Sequence, residues 1–221
     1  ILSIYFTAGF PKLDDTMGIM EAIEEAGADI IEIGIPYSDP VADGPTIQDS
    51  NNIALNNGMT LKLLFTQLEG LRSKLSIPVV LMGYLNPIVQ YGMEAFCKKC
   101  QEVGVDGVII PDLPMQQYTD TYKGLFDRSN RRNTFLISPQ TSEERIREID
   151  RKTDGFIYMV SSASITGAKK EVSPEQIAYF ERVRDMGLKN PRLIGFGISD
   201  KASFTKAATY SQGAIIGSAF I

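Results

Sequence analysis

The sequence predicts an α/β fold: a (β/α)₈ barrel formed by residues 1–221 as one domain. Three observations predict it. Short apolar runs, often β-branched, alternate with stretches of helical periodicity along the whole chain, and eight such strands can be counted. The runs are apolar throughout, as expected where both faces of a parallel strand are covered. Two links are near-copies, EEAGADIIEIGIP and QEVGVDGVIIPDLP, each reading helix, Gly, small apolar residue, Asp, strand, Pro. Repetition of one βα unit is what a closed parallel barrel requires, with a doubly wound open sheet as the alternative.

The elements follow in order. Leu2 to Thr7 reads as the first strand, ended by AGFP. Asp14 or Asp15 can cap a helix over Met17 to Ala26, which Gly27 closes. The second strand opens at Ile30. After the ADGP turn, Thr46 to Asn57 and Leu61 to Lys74 carry helical spacing. Pro78 opens a strand over Val79 to Met82. Met93 to Val103 is helix, closed by Gly104, and Gly107 to Ile110 is strand, followed by PDLP. Gln116 to Asp127 reads as helix and Thr134 to Ser138 as strand. Ser142 caps a helix running to about Arg151, with Glu143 and Glu144 in its first turn. Phe156 to Val160 is strand, and a polar loop spans Ser161 to Ser173. Pro174 stands at the first position of a helix that reaches Asp185. Leu193 to Phe196 is strand, Asp200 caps a helix to about Tyr210, and Ala214 to Gly217 is the eighth strand. The first residue is not Met, and the final helix of a standard barrel is missing. The expectation is therefore trimming at both ends, with apolar strand surface left uncovered.

Composition excludes several classes. The chain has 221 residues, 43% hydrophobic and 22% charged, with a formal net charge of −5. That balance argues against nucleic acid or an anionic membrane as the main partner. No apolar stretch approaches the ~20 residues of a membrane span. There is no His, so Ser-His-Asp and Cys-His machinery and His metal ligands are excluded. Acid and base work falls to Asp, Glu, Lys, Tyr or Cys. The 2 Cys, Cys97 and Cys100, form CKKC. That spacing can mean redox chemistry or half a zinc site; without a second pair or a His, two ordinary helix cysteines in a reducing cytosol is the preferred reading.

One stretch concentrates the chemistry: Ile30 to Pro45, IIEIGIPYSDPVADGP. Alternation puts Ile31 and Ile33 on one face and Ile30, Glu32 and Gly34 on the other. A carboxylate inside such a run leaves bulk water, and its pKa should rise. Asp43 lies in the turn that follows. Two acids in two environments can divide acid and base roles at neutral pH. A buried structural carboxylate for Glu32, and a turn-forming Asp for Asp43, are the alternatives. In a barrel the site lies at the C-terminal ends of the strands. There the loop from Ser161 to Ser173 could close over a ligand, with Gly167 as pivot or phosphate contact. Gly195 to Ser199 (GFGIS) and Gly217 to Ala219 (GSA) follow strands seven and eight, where barrels bind phosphate. Tyr158, late in strand six, could reach the site or fill the core.

Glu32 in EIGIPYSDP, ADGPTIQ, the PDLP loop, TG in the loop after strand six, GFGIS and GSA together resemble the α subunit of tryptophan synthase. The resemblance covers nearly the whole chain in order. It implies a lyase that cleaves indole-3-glycerol phosphate to indole and glyceraldehyde 3-phosphate. Glu32 and Asp43 then match the family's catalytic acids. Tyr5, Met82, Ile109 and Ile137 match strand-end positions that would sandwich the indole ring. Tyr158 matches a site tyrosine, and Thr166 a threonine that orients the aspartate. Gly167, Gly197, Gly217 and Ser218 match phosphate-contacting positions. Ser162 stands where some members carry Arg. The resemblance also implies no cofactor in this chain, a cytoplasmic setting and a pyridoxal-phosphate β subunit in an α2β2 assembly. That partner would meet Asp39, Pro40 and the PDLP loop.

Overall fold

The computed structural model describes residues 1–161, 173–195 and 197–221. Its strands are β1 (Leu2–Thr7), β2 (Ile30–Gly34), β3 (Val79–Met82), β4 (Gly107–Ile109), β5 (Arg132–Thr134), β6 (Leu136–Ile137), β7 (Ile157–Val160), β8 (Arg192–Gly195) and β9 (Gly213–Ile216). They pair in parallel in the order β5-β4-β3-β2-β1-β9-β8-β7-β6. The two ends of that order are consecutive in the chain. β5 and β6 are one strand interrupted at Phe135, whose carbonyl accepts the Tyr158 N–H at 3.0 Å. Its first half pairs with β4 and its second with β7, so the sheet closes through it. The predicted strands six, seven and eight are β7, β8 and β9.

The helices are α1 (Thr16–Glu25), α2 (Pro45–Asn56), α3 (Leu61–Gln67), α4 (Leu71–Lys74), α5 (Leu85–Tyr91), α6 (Met93–Val103), α7 (Met115–Gln117), α8 (Lys123–Arg128), α9 (Glu143–Lys152), α10 (Pro174–Asp185) and α11 (Lys201–Ala208). Ser142, Ser173 and Asp200 cap α9, α10 and α11 by accepting the N–H of the third helical residue. Asp15 occupies the N-cap position of α1, but its carboxylate accepts the Lys12 N–H at 3.2 Å instead. The single helix expected over Leu61 to Lys74 is broken into α3 and α4. Gly70 adopts φ 78° there, a left-handed conformation that no helix interior accommodates. A π-helical turn, Tyr118–Tyr122, interrupts the helix expected from Gln116. α5 was not anticipated. Pro87 lies in its first turn, where a missing N–H costs nothing.

Alternation along the strands makes two apolar layers. The outward residues, among them Ile4, Phe6, Ile31, Ile33, Leu81, Val108 and Ile194, pack with helix residues such as Met20, Leu64, Phe96, Ile146 and Val183. The inward set is smaller: Val80, Ile109, Phe156, Tyr158, Leu193 and Ile215, flanked by Tyr5, Ile30, Met82, Leu136 and Val160. The near-copied links also have a physical reason. Asp29 Oδ2 accepts the Leu2 N–H at 2.7 Å, and the Asp29 N–H donates to the Leu2 carbonyl at 2.9 Å. Asp106 does the same to Val79, at 2.8 Å in both directions. Each Asp joins the N-terminal end of its strand to that of a neighbour.

Phe135, at the interruption, is 7% exposed and meets Tyr118 edge-on, with ring centroids 5.2 Å apart. Phe135→Ala should lower unfolding stability by about 3–5 kcal/mol in a urea titration, the range for deleting a buried aromatic ring.

Candidate active site

β2 turns Ile30, Glu32 and Gly34 inward, and Glu32 is 0% exposed. Its Oε1 accepts the Ser3 hydroxyl at 2.7 Å. Its Oε2 has no hydrogen-bond partner among the described residues. Burial pushes the carboxyl up to about 7, with the Ser3 hydrogen bond pulling the other way.

Asp43 sits in the loop between β2 and α2, next to Gly44, the N-cap of α2. Its N–H donates to the Pro40 carbonyl at 3.0 Å, and its own carbonyl accepts from Gln48 Nε2 at 2.8 Å. The Tyr84 hydroxyl donates to its carboxylate at 3.0 Å and accepts the Ala42 N–H at 3.0 Å. Burial pushes the Asp43 carboxyl up to about 6, opposed by the Tyr84 hydrogen bond. The Tyr84 ring leans on Tyr37 at 5.3 Å between centroids.

Tyr5 and Tyr158 join the two acids. Burial raises both phenols, and the charges of Asp43 and Glu32 raise them further. Glu32 lies in the interior that both tyrosines share, and Asp43 lies near enough to both phenols for its charge to be felt there. Glycines make the room. A side chain at Gly34 would run into the Tyr5 hydroxyl, and one at Gly195 into the Tyr158 hydroxyl.

The other expected positions divide. Met82 and Ile109 face inward with the tyrosines. Ile137 does not. It pairs with Met159 and lies in the outward layer, and its neighbour Leu136, paired with Tyr158, takes the inward place. Gly217 follows β9 directly, against the Tyr5 ring, where a Cβ would lie 3.7 Å from it, and Ser218 is exposed beside it. Gly197 is exposed with φ 76°, and a Cβ there would meet nothing within 4 Å. Thr166, Gly167 and Ser162 lie outside the described residues. Asp39 is exposed and Pro40 buried, in a loop whose Val41 is 75% exposed. Cys97 and Cys100 are buried on α6, and burial pushes the Cys97 thiol up to about 11. No cluster of acidic, Cys or His side chains among the described residues could hold a metal ion. No helix among them is long and apolar enough to cross a membrane.

Two site residues were missed in the sequence. Tyr84, in GYLNP just past β3, stands where a strand-end side chain reaches the rim. Ser3 is a hydroxyl at an inward position of an otherwise apolar strand.

Fold and rim together give a (β/α)₈ barrel with two buried carboxyls of raised pKa, an arrangement suited to acid–base chemistry. The family model described as tryptophan synthase alpha chain matches residues 2–221. The chain belongs to that family. It is 58% identical to the tryptophan synthase alpha chain of Flavobacterium johnsoniae over 221 residues, covering 100% of this chain and 87% of that one. The tryptophan synthase A-subunit of Pyrococcus furiosus superposes with a TM-score of 0.90 at 35% identity, covering 99% of this chain and 87% of that one. A chain of the tryptophan synthase complex from Pyrococcus furiosus superposes with a TM-score of 0.89 at 34% identity, with the same coverage. The protein is thus a carbon–carbon lyase of tryptophan biosynthesis, of the family that cleaves indole-3-glycerol phosphate.

The buried acid has a consequence for stability. The Glu32 carboxyl is raised from 4.5 to about 7, so between those values the folded chain keeps a proton that the unfolded chain releases. Stability from this group falls as pH rises through that window and levels off above it. Glu32→Gln has no such loss. Relative to the parent it should gain on the order of 3 kcal/mol between pH 4 and pH 8, read from urea unfolding at each pH.

Proposed function

We propose that Glu32 and Asp43 carry the retro-aldol cleavage of indole-3-glycerol phosphate to indole and glyceraldehyde 3-phosphate. The observation that carries this reading is the pair itself: two buried carboxyls whose charges act on the same two phenols, raised to about 7 and about 6 by burial and given different hydroxyl partners. Protonated Glu32 delivers its proton to indole C3. Ionised Asp43 accepts the indole N–H and stabilises the cationic indolenine. Glu32, now a carboxylate, takes the proton of the side-chain hydroxyl nearest the ring. The O–H electrons form the aldehyde, the carbon–carbon bond breaks, and its electrons restore the aromatic ring. A carboxyl poised near neutrality serves both transfers.

In this reading Tyr5, Met82, Ile109 and Tyr158 enclose the ring. Leu136 takes the role first expected of Ile137, since it is the residue that faces the interior. Gly197, Gly217 and Ser218 receive the phosphate with Gly167 of the loop after β7, and Thr166 of that loop orients Asp43. Residues 1–221 act as one barrel domain in the cytoplasm. The β subunit docks on Asp39, Pro40 and the PDLP loop in an α2β2 assembly, where the pyridoxal phosphate belongs to the partner. No step on this chain draws on a cofactor.

Glu32→Gln, folded as judged by circular dichroism, should lower indole release from indole-3-glycerol phosphate by roughly 10²–10⁴-fold, with or without a β subunit. Near-parental turnover would sink the assignment. Tyr84→Phe removes the donor that favours ionised Asp43. The acid limb of kcat/KM against pH should therefore move upward, by about one unit.

A further inference from the structure

Ser3 is 0% exposed and faces the barrel interior from β1. The β1–β2 register sets Ser3 beside Ile30 and Tyr5 beside Glu32. Ser3 thus lies one inward layer closer to the N-terminal rim than Glu32. From that deeper layer its hydroxyl reaches across the strand pair to Oε1 at 2.7 Å. The other oxygen, Oε2, is buried with no hydrogen-bond partner among the described residues. A buried carboxylate oxygen left bare costs about 1–3 kcal/mol and calls for a reason.

We propose that Ser3 is a positioning residue for Glu32: by donating to Oε1 it commits the exchangeable proton to Oε2, the oxygen that meets the substrate. The proposal rests on the reading of Glu32 as acid and base given above. A hydroxyl donating to Oε1 favours that oxygen as the carbonyl-type acceptor and disfavours a carboxyl proton on it. The protonated acid therefore carries its hydrogen on Oε2, and the same Ser3 bond persists in the ionised state. After Oε2 has given its proton to the ring carbon, it is already placed to receive the next one, with no rotation of the carboxyl between the transfers. The bond also favours the anion, which limits how far burial raises the acid.

The titratable groups facing Glu32 are Tyr5 on β1, Tyr158 on β7 and, through the same two phenols, Asp43 from the loop. Ser3→Ala alters none of these, so its effect on titration reports on the single hydrogen bond. In the α2β2 complex, the alkaline limb of kcat/KM against pH, where Glu32 loses its proton, should move upward by about one unit. kcat at the optimum should fall roughly 10-fold with KM held within about twofold, because Ser3 orients the acid and does not touch the substrate. Ser3→Thr keeps the hydroxyl and should restore both. An unmoved limb with kcat within about twofold of the parent overturns the proposal. So does a folded Ser3→Thr that behaves like Ser3→Ala, since side-chain volume would then be the cause. Glu32→Gln in the same assay separates the two claims. If it is inactive while Ser3→Ala matches the parent, only the positioning role fails. If it turns over, the assignment of Glu32 fails and the role of Ser3 with it.

Discussion

The structure depends on one constraint: a carboxyl group enclosed by a barrel whose interior surrounds it with apolar and phenolic side chains and a single bonded hydroxyl. Among the described residues Glu32 is given one hydroxyl, on Oε1, and no hydrogen-bond partner on Oε2. Water cannot solvate its charge, so the group holds its proton to a pH near 7. The arrangement exists because parallel strands alternate. The residues flanking Glu32, Ile31 and Ile33, are drawn outward into the helical layer, and that holds the acid inward. A barrel that buried Glu32 for stability alone would have supplied a partner for each oxygen.

Around this acid the rim is built by subtraction. Two large phenols span the interior, and each needs space that only a glycine leaves, at Gly34 and at Gly195. Asp43 arrives from a loop and is held by Tyr84, which also ties down the neighbouring Ala42 N–H. The second acid is therefore positioned by a residue from the next strand's end, so β2 and β3 must keep their register for the pair to face each other.

Much of this was legible in the sequence, for physical reasons. Strand and helix periodicities differ, so the βα alternation showed, and an acid inside IIEIG could only be buried. The errors have equally physical causes. Ile137 was expected in the substrate layer from the family resemblance alone; one step along a strand moves a side chain to the other face, and here Leu136 is the residue turned inward. Gly70 split a helix whose apolar spacing continued across it. Tyr84 and Ser3 went unremarked because their meaning lies in partners 41 and 29 residues away, which no local pattern encodes.

The aspartates that precede β2 and β4 fasten strands in couples at the end of the cylinder remote from the chemistry. The two rims thereby become independent workshops. One is riveted by short carboxylate-to-amide links and needs only to stay shut. The other, relieved of that duty, can carry glycines, unsatisfied oxygens and long loops without the strands drifting apart.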